Sequence, residues 1–254
     1  MAKDWLKDKV CIVTGGASGI GEAIVRSLAE HQAIVIIADI NEERAQGILA
    51  DLNAQVHFIR TDVTQAASIK RLIAEAAAYG PLKFLVNSAG LQTYGTAETT
   101  SEADWDLTLD VNLKSMFLTG KEAIPEILKN GGGAIVNISS VQGIRSQKNV
   151  LAYATSKAGA IALTRCMGLD YAAKGIRVNC ICPGSIDTPL LRFGAAQHGE
   201  VETVLEDWGN HHPIGRIGTP GEIANLALYL MSPNASFIVG QSIVADGGLG
   251  SVIL

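Results

Sequence analysis

Tyr153 and Lys157 stand four residues apart, and Ser140 lies thirteen residues before Tyr153. A free tyrosine hydroxyl has a pKa of about 10, too high for a useful base at neutral pH. A lysine at i+4 shares the tyrosine's face of a helix, and its positive charge favours the phenolate. Lowering the pKa by roughly three units needs about 4 kcal/mol, at 1.36 kcal/mol per unit. Ser140 is then available to hold the oxygen that gains or loses the proton. Any helix can carry a Tyr-x-x-x-Lys pair, so the pair becomes informative only through the elements that position it.

The first such element is at the N-terminus. Residues 9–14 form a short apolar, β-branched run, followed by Gly15-Gly16-Ala17-Ser18-Gly19-Ile20-Gly21 and a helical pattern over 22–30. Strand, glycine-rich turn and helix make the context of a dinucleotide fingerprint. Glycines allow the tight turn and a close backbone approach to a pyrophosphate, and the helix start offers free N–H groups and its positive dipole end. The spacing is Gly15-x-x-x-Gly19-x-Gly21, preceded by Thr14, rather than G-x-G-x-x-G.

Thr14-Gly15-x-x-x-Gly19-Ile20-Gly21, Asn87-Ser88-Ala89-Gly90, Asn112, Ser140, Tyr153 with Lys157, and Pro183-Gly184 follow one another along nearly the whole chain. In this order they resemble the short-chain dehydrogenase/reductase family. Ser88 departs from the family's usual second asparagine, a position that helps hold the central strands. The resemblance implies that Asn112, Ser140, Tyr153 and Lys157 are the catalytic residues. It gives Asn112 a water that relays protons to Lys157. It also favours Ser140 over Ser139, which strand alternation points elsewhere. The phenolate of Tyr153 takes an alcohol's proton as hydride passes to a nicotinamide ring. Lys157 also binds the nicotinamide ribose. One ammonium, the ring and partial desolvation are expected to supply the lowered pKa.

The rest of the chain alternates strand and helix. Further strands are expected over 33–38, 55–60, 84–87, 133–138, 176–181 and 242–245, and helices over 42–52, 66–78, 102–128, 151–173 and 221–231. Continuous apolar strands mean a sheet buried on both faces, hence parallel. With right-handed crossovers the expected fold is α/β, a doubly wound seven-stranded parallel sheet (Rossmann fold) with helices on both faces. No linker or low-complexity stretch divides the 254 residues, so a single dinucleotide-binding catalytic domain is expected, with a substrate lid at about 190–212. Ligands in such a sheet sit beyond the strands' carboxyl ends, where Thr14, Asp39, Asp62, Asn87, Ser140 and Pro183 all fall.

Asp39 follows the glycine turn by about 20 residues, where a carboxylate accepts hydrogen bonds from the adenosine ribose hydroxyls and repels a 2′-phosphate. Ser18, Ile40 and Asn41 stand where NADP-binding relatives often place a basic residue, so NAD is the expected cofactor. By resemblance, Gly15, Ser18, Gly19, Ile20 and Gly21 hold the pyrophosphate, and Asp62 and Val63 meet the adenine. Asn87, Ala89 and Gly90 lie along the nicotinamide ribose, with Pro183, Gly184, Ile186 and Thr188 against the nicotinamide or a phosphate.

Gln92, Thr93, Gln142, Arg145, Gln147, Ser185 and Arg192 are expected near the substrate. This polar set favours a polyol, sugar or sugar-acid-like hydroxy compound. Arg145 and Arg192 either grip a carboxylate in bidentate fashion or are surface or interface groups. The alternatives are a reductase of a hydrophobic ketone or 3-oxoacyl-type substrate, and a non-catalytic NAD-sensing protein. Sensors of that kind usually lose the tyrosine or lysine, and enoyl reductases generally alter the Tyr-x-x-x-Lys spacing, which is intact here.

A net charge of -5 argues against nucleic acid as a partner. No signal segment or membrane span of roughly 18 apolar residues is evident, so a cytoplasmic protein is expected. Cys11, Cys166, Cys180 and Cys182 show neither metal nor disulfide spacing and are expected to be buried and reduced. His211 and His212 have no third ligand at useful spacing and are read as lid or surface residues, so no metal is expected. Helices 102–128 and 151–173 are apolar on more than one face, which calls for cover. Val252-Ile253-Leu254 would be an apolar tail in a monomer. The family's habit then makes a homotetramer the expected assembly.

Overall fold

The computed structural model describes residues 5–52 and 55–251. The apolar tail Val252-Ile253-Leu254 lies outside the described residues. The strands are β1 (Val10–Thr14), β2 (Ile34–Asp39), β3 (Val56–Arg60), β4 (Leu82–Asn87), β5 (Gly133–Ile138), β6 (Ile176–Pro183) and β7 (Ser242–Ala245). They form one parallel sheet in the order β3-β2-β1-β4-β5-β6-β7. The chain builds outward from β1 to β3, then returns to place β4 on the other side of β1. That reversal opens a crevice at the carboxyl ends of β1 and β4, with Thr14 in register with Asn87.

Strand periodicity sorts the core into two layers. Cys11, Val13, Val35, Ile37, Val86 and Val136 pack on one face against Ile24, Val25 and Leu28 of α1 (Gly19–Glu30). Ile223, Ala227 and Leu228 of α9 (Pro220–Met231) complete that layer. Val10, Ile12, Ile36, Leu85 and Ile135 point the other way. They meet α3 (Ala66–Ala77), α5 (Ser115–Lys129) and α6 (Leu151–Tyr171) through Leu72, Ile127 and Met167. Each large side chain so buried stabilises the fold by about 1.5–3 kcal/mol. α2 (Glu42–Asp51) crosses from β2 to β3.

Four expectations change. The helix expected over 102–128 is α4 (Glu102–Leu109) and α5 separated by a π-turn at Asp110–Lys114. The wider turn carries Asn112, whose side-chain bonds favour it over a continuous α-helix. β4 starts at Leu82, two residues earlier than expected, and β6 runs on through Pro183. Cys166 is exposed on α6 rather than buried, because its face of the helix is left uncovered by the described residues.

The stretch after β6 forms α7 (Pro189–Ala195) and α8 (Val201–Asn210). Thr188 caps α7 by accepting from Leu191 N–H, with Pro189 in the first turn. Glu200 caps α8 through Thr203 N–H. No helix among the described residues is long and apolar enough to cross a membrane.

Candidate active site

A cavity of about 720 Å³ lies across the carboxyl ends of the strands. Its floor begins at the glycine turn. Gly15 has φ of +64°, and a β-carbon there would lie 2.7 Å from the Ala89 backbone. Gly19 has φ of +55°, and a β-carbon there would sit 3.1 Å from the Thr188 side chain. Gly21 packs instead against the Gly15 carbonyl, so it shapes the turn and does not line the cavity. Ser18 precedes α1 without a side-chain cap bond, leaving the helix's first N–H groups for a ligand. Asp39 ties this turn to β2: one carboxylate oxygen accepts from Ala17 N–H at 3.0 Å, the other from Asn41 N–H at 2.9 Å. This cradle, with Asp39 at one end, fits a dinucleotide.

The structure brings most of the expected residues to this cavity. Ser18, Ile20, Asp39, Ile40, Asp62 and Val63 line one end. Ala89, Gly90, Ser140, Tyr153 and Lys157 line the middle, with Pro183, Gly184, Ile186 and Thr188 opposite. Gln92, Gln142, Arg145, Gln147 and Ser185 line the other end. Thr93 is not among the lining residues; its hydroxyl bonds that of Thr108.

Three other expected residues face elsewhere. The Asn87 amide donates to Asn137 Oδ1, and its carbonyl oxygen accepts from Thr119, each at 2.8 Å. Asn137 continues the chain to Thr164. Asn87 is thus spent joining β4, β5, α5 and α6, and its neighbour Ser88 reaches the cavity. Asn112 is fully buried behind the wall, bonded to both backbone groups of Leu91 and to the Ser156 hydroxyl. A β-carbon on Gly90 would stand 3.4 Å from Asn112 Oδ1 and 3.5 Å from Lys157 Nζ, so both approach the same side of this glycine. Arg192 does not line the cavity. Its guanidinium is held bidentate by Asp187 at 2.7 and 3.0 Å and reaches Glu202 at 2.6 Å. Those nearer carboxylates outcompete a substrate for it, which favours the surface reading for Arg192 and leaves Arg145 as the arginine that lines the cavity.

The reacting groups are held by short-range bonds. Ser140 Oγ accepts from Gln142 N–H, which leaves its O–H to donate to Tyr153. Ser139, set aside on strand alternation, donates to the Lys157 carbonyl of α6. Lys157 Nζ donates to Ile138 O at 3.0 Å and lies 5.5 Å from the Tyr153 ring centroid.

Electrostatically the expectation reverses in part. Burial pushes the Tyr153 hydroxyl up to about 12, against the Ser140 hydrogen bond, and Tyr94 raises it further. Burial also pushes Lys157 down to about 8. Desolvation penalises each charged form, so it works against the phenolate rather than for it. The lysine's proximity alone does not lower the tyrosine.

Several residues had no signal in their spacing. Leu249 and Gly250 close the cavity from beyond β7, where Asp246 accepts from the N–H groups of Gly248 and Gly250. His212, expected in the lid or at the surface, is only 3% exposed. Its Nδ1 donates to Trp208 O at 2.8 Å and its Nε2 accepts from Ser185 N–H at 3.2 Å. It therefore fastens the end of α8 to the loop that walls the cavity. The adjacent Pro213 hints at a fixed turn, but nothing local names Ser185 as the partner.

A family model described as Enoyl-(Acyl carrier protein) reductase matches residues 15–250. A 2,5-dichloro-2,5-cyclohexadiene-1,4-diol dehydrogenase from Sphingobium indicum is 39% identical over 247 residues, covering 96% of each chain. The ligand-free aldohexose dehydrogenase of Thermoplasma acidophilum superposes with a TM-score of 0.91 at 38% identity, over 98% of this chain and 96% of that one. An actinorhodin polyketide ketoreductase variant with NADPH gives 0.92 at 30% identity, over 96% and 98%.

Proposed function

The chain belongs to the short-chain dehydrogenase/reductase family, and we propose NAD(H) as its cofactor and a polar, polyhydroxylated secondary alcohol, or the matching ketone, as its substrate. The substrate reading rests above all on Gln142. Its Oε1 is buried, has no hydrogen-bond partner among the described residues, and belongs to a residue lining the cavity. A buried carbonyl left without a donor costs about 1–3 kcal/mol, and a turn of the Gln142 side chain into the cavity would offer it a second substrate hydroxyl as that donor. Gln92, Gln147 and Arg145 extend the same polar wall. The aldohexose and cyclohexadienediol dehydrogenases act on hydroxylated rings, in keeping with such a wall. Asp39 supports NAD: its carboxylate meets ribose hydroxyls and repels a 2′-phosphate, and no cation stands at Ser18, Ile40 or Asn41.

In oxidation, Tyr153 Oη takes the carbinol proton while the C–H bond breaks and the C=O bond forms; in reduction it returns that proton to the oxygen. Ser140 holds the oxygen throughout. A bound oxidised nicotinamide supplies the hydride acceptor and a second positive charge at the site. Lys157 holds the ribose and adds its own charge against the burial that raises Tyr153. Asn112, one lone pair free beside Gly90, positions Lys157 and accepts a relaying water. α7 and α8 form the lid of a single catalytic domain. Exposed Leu107, Phe117 and Leu169 on α4, α5 and α6 form the apolar face of a homotetramer, in a cytoplasmic enzyme without nucleic-acid or membrane partners.

Rates of NAD and NADP reduction against polyols, aldoses, sugar acids and secondary alcohols test both halves. NAD-linked oxidation of a polyhydroxy compound is expected. NADP preference overturns the cofactor assignment, and turnover confined to hydrophobic or 3-oxoacyl ketones overturns the substrate assignment.

A further inference from the structure

A second cavity of about 390 Å³ adjoins the first, and Gln147 lines both. One side of it is aromatic. Tyr94 from the loop after β4, His198 between α7 and α8, and Trp208 on α8 stand edge to face. Their centroids are 6.4 Å apart for Tyr94 and His198, and 5.9 Å for His198 and Trp208. The rest of the lining is polar, with Lys148 and Asn149 ahead of α6 and Gln197 after α7.

The packing shows a built site. Gly95 N–H donates to Asn149 O at 2.8 Å, and a backbone bridge joins Gly95 to Val150, so the Tyr94 loop is clamped to the approach to α6. Asn149 holds a left-handed backbone, φ +63°, to make that turn. A β-carbon on Gly194 would lie 2.6 Å from the Tyr94 hydroxyl, so a glycine in α7 is what admits Tyr94 to this position. Gln147 lines both cavities, which places this one beside the reacting groups.

The two walls select an occupant by exclusion. A fatty chain would make no use of Lys148 and Asn149, exposed at the cavity's rim, or of Gln197, whose amide already reaches Phe193 O. A bare anion would gain nothing from three aromatic rings. A hydroxylated ring has an apolar C–H face for the aromatic row and a rim of hydroxyls for the amides and ammonium. We propose that this cavity is a distal substrate subsite for a second hydroxylated ring. The substrate then spans both cavities across Gln147, with its reacting carbinol at Ser140 and Tyr153. This rests on the polyhydroxy reading above and adds the size of the substrate and the residues that select it.

The test compares NAD-linked oxidation of one-ring aldohexoses and their methyl glycosides with that of the two-ring disaccharides maltose, cellobiose and lactose, by wild type, Trp208→Leu and Lys148→Ala. Wild type should favour two-ring compounds by roughly tenfold in kcat/KM. Both variants should lose that preference while keeping one-ring turnover and NAD binding. Trp208→Phe should retain it, which separates stacking from a folding defect. One-ring compounds oxidised as well as two-ring ones, or variants that lower both alike, overturn the subsite and leave the polyhydroxy reading standing. Turnover of hydrophobic ketones alone overturns that reading and the subsite together.

Discussion

The catalytic wall and the α7–α8 segment facing it are fastened in different ways. Asn112, Ser139 and Lys157 are buried, and each is bonded to a backbone carbonyl: Leu91, Lys157 and Ile138 in turn. The Asn87–Asn137–Thr164 chain braces the same wall from behind. Across the cavity, Arg192 holds its segment through Asp187 and Glu202 in ion pairs open to solvent. His212 anchors that segment by a part-buried bond to the cavity loop. Buried bonds in a low dielectric leave one geometry, whereas exposed ion pairs are weak and screened. The proposed reacting groups are therefore held by the rigid wall, and the looser segment faces them across the cavity.

Breaking the rigid wall should do the most. Tyr153→Phe removes only the hydroxyl. It should lower turnover by at least about 10²–10⁴-fold, the range of general acid–base catalysis, while NAD binding measured by calorimetry stays near wild type. Substantial residual turnover would remove Tyr153 as the base.

Lys157 shows what that rigidity costs in stability. Its folded pKa lies below its unfolded value, at about 8 against 10.5. Between those values the unfolded chain binds more protons, so stability rises with pH; below pH 8 the full penalty is present. Lys157→Met should abolish activity yet stabilise the fold at pH 7 by up to roughly 3 kcal/mol, at 1.36 kcal/mol per unit. The gain should shrink from pH 8 to 10.5. Urea titrations across that range check it, and a pH-independent difference would contradict the buried-ammonium account.

The looser wall should respond less. His212→Ala leaves Ser185 N–H without its acceptor and should cost about 1–3 kcal/mol of stability. KM should rise more than kcat falls, and His212→Gln should restore part of both. Arg192→Ala should be the mildest, with a small drop in Tm and KM values raised a few-fold at most, alike for acidic and neutral substrates. A selective loss for acidic substrates would return Arg192 to the cavity.

Much of this molecule is legible along the chain. The run before Gly15, the glycine turn and the alternation Val10-Cys11-Ile12-Val13 specify strand, turn and sheet faces through local sterics and a fixed period of two. The positions of Asp39, Ser140 and Pro183 follow, because parallel strands bring their carboxyl ends to one edge. The i+4 spacing of Tyr153 and Lys157 follows equally from helix geometry. What the chain does not display is the choice of partner. Asn87 turns to Asn137, fifty residues away, rather than to the cavity. Arg192 turns to Asp187 and Glu202, and His212 to Ser185. Asn112 bends its helix into a π-turn to meet Leu91. Backbone conformation is set by neighbours a few residues apart, so the sequence by itself determined the scaffold and the line of reacting groups. Which polar group each long side chain meets depends on distances between remote segments and on what each must satisfy once buried, and those only the tertiary structure decided.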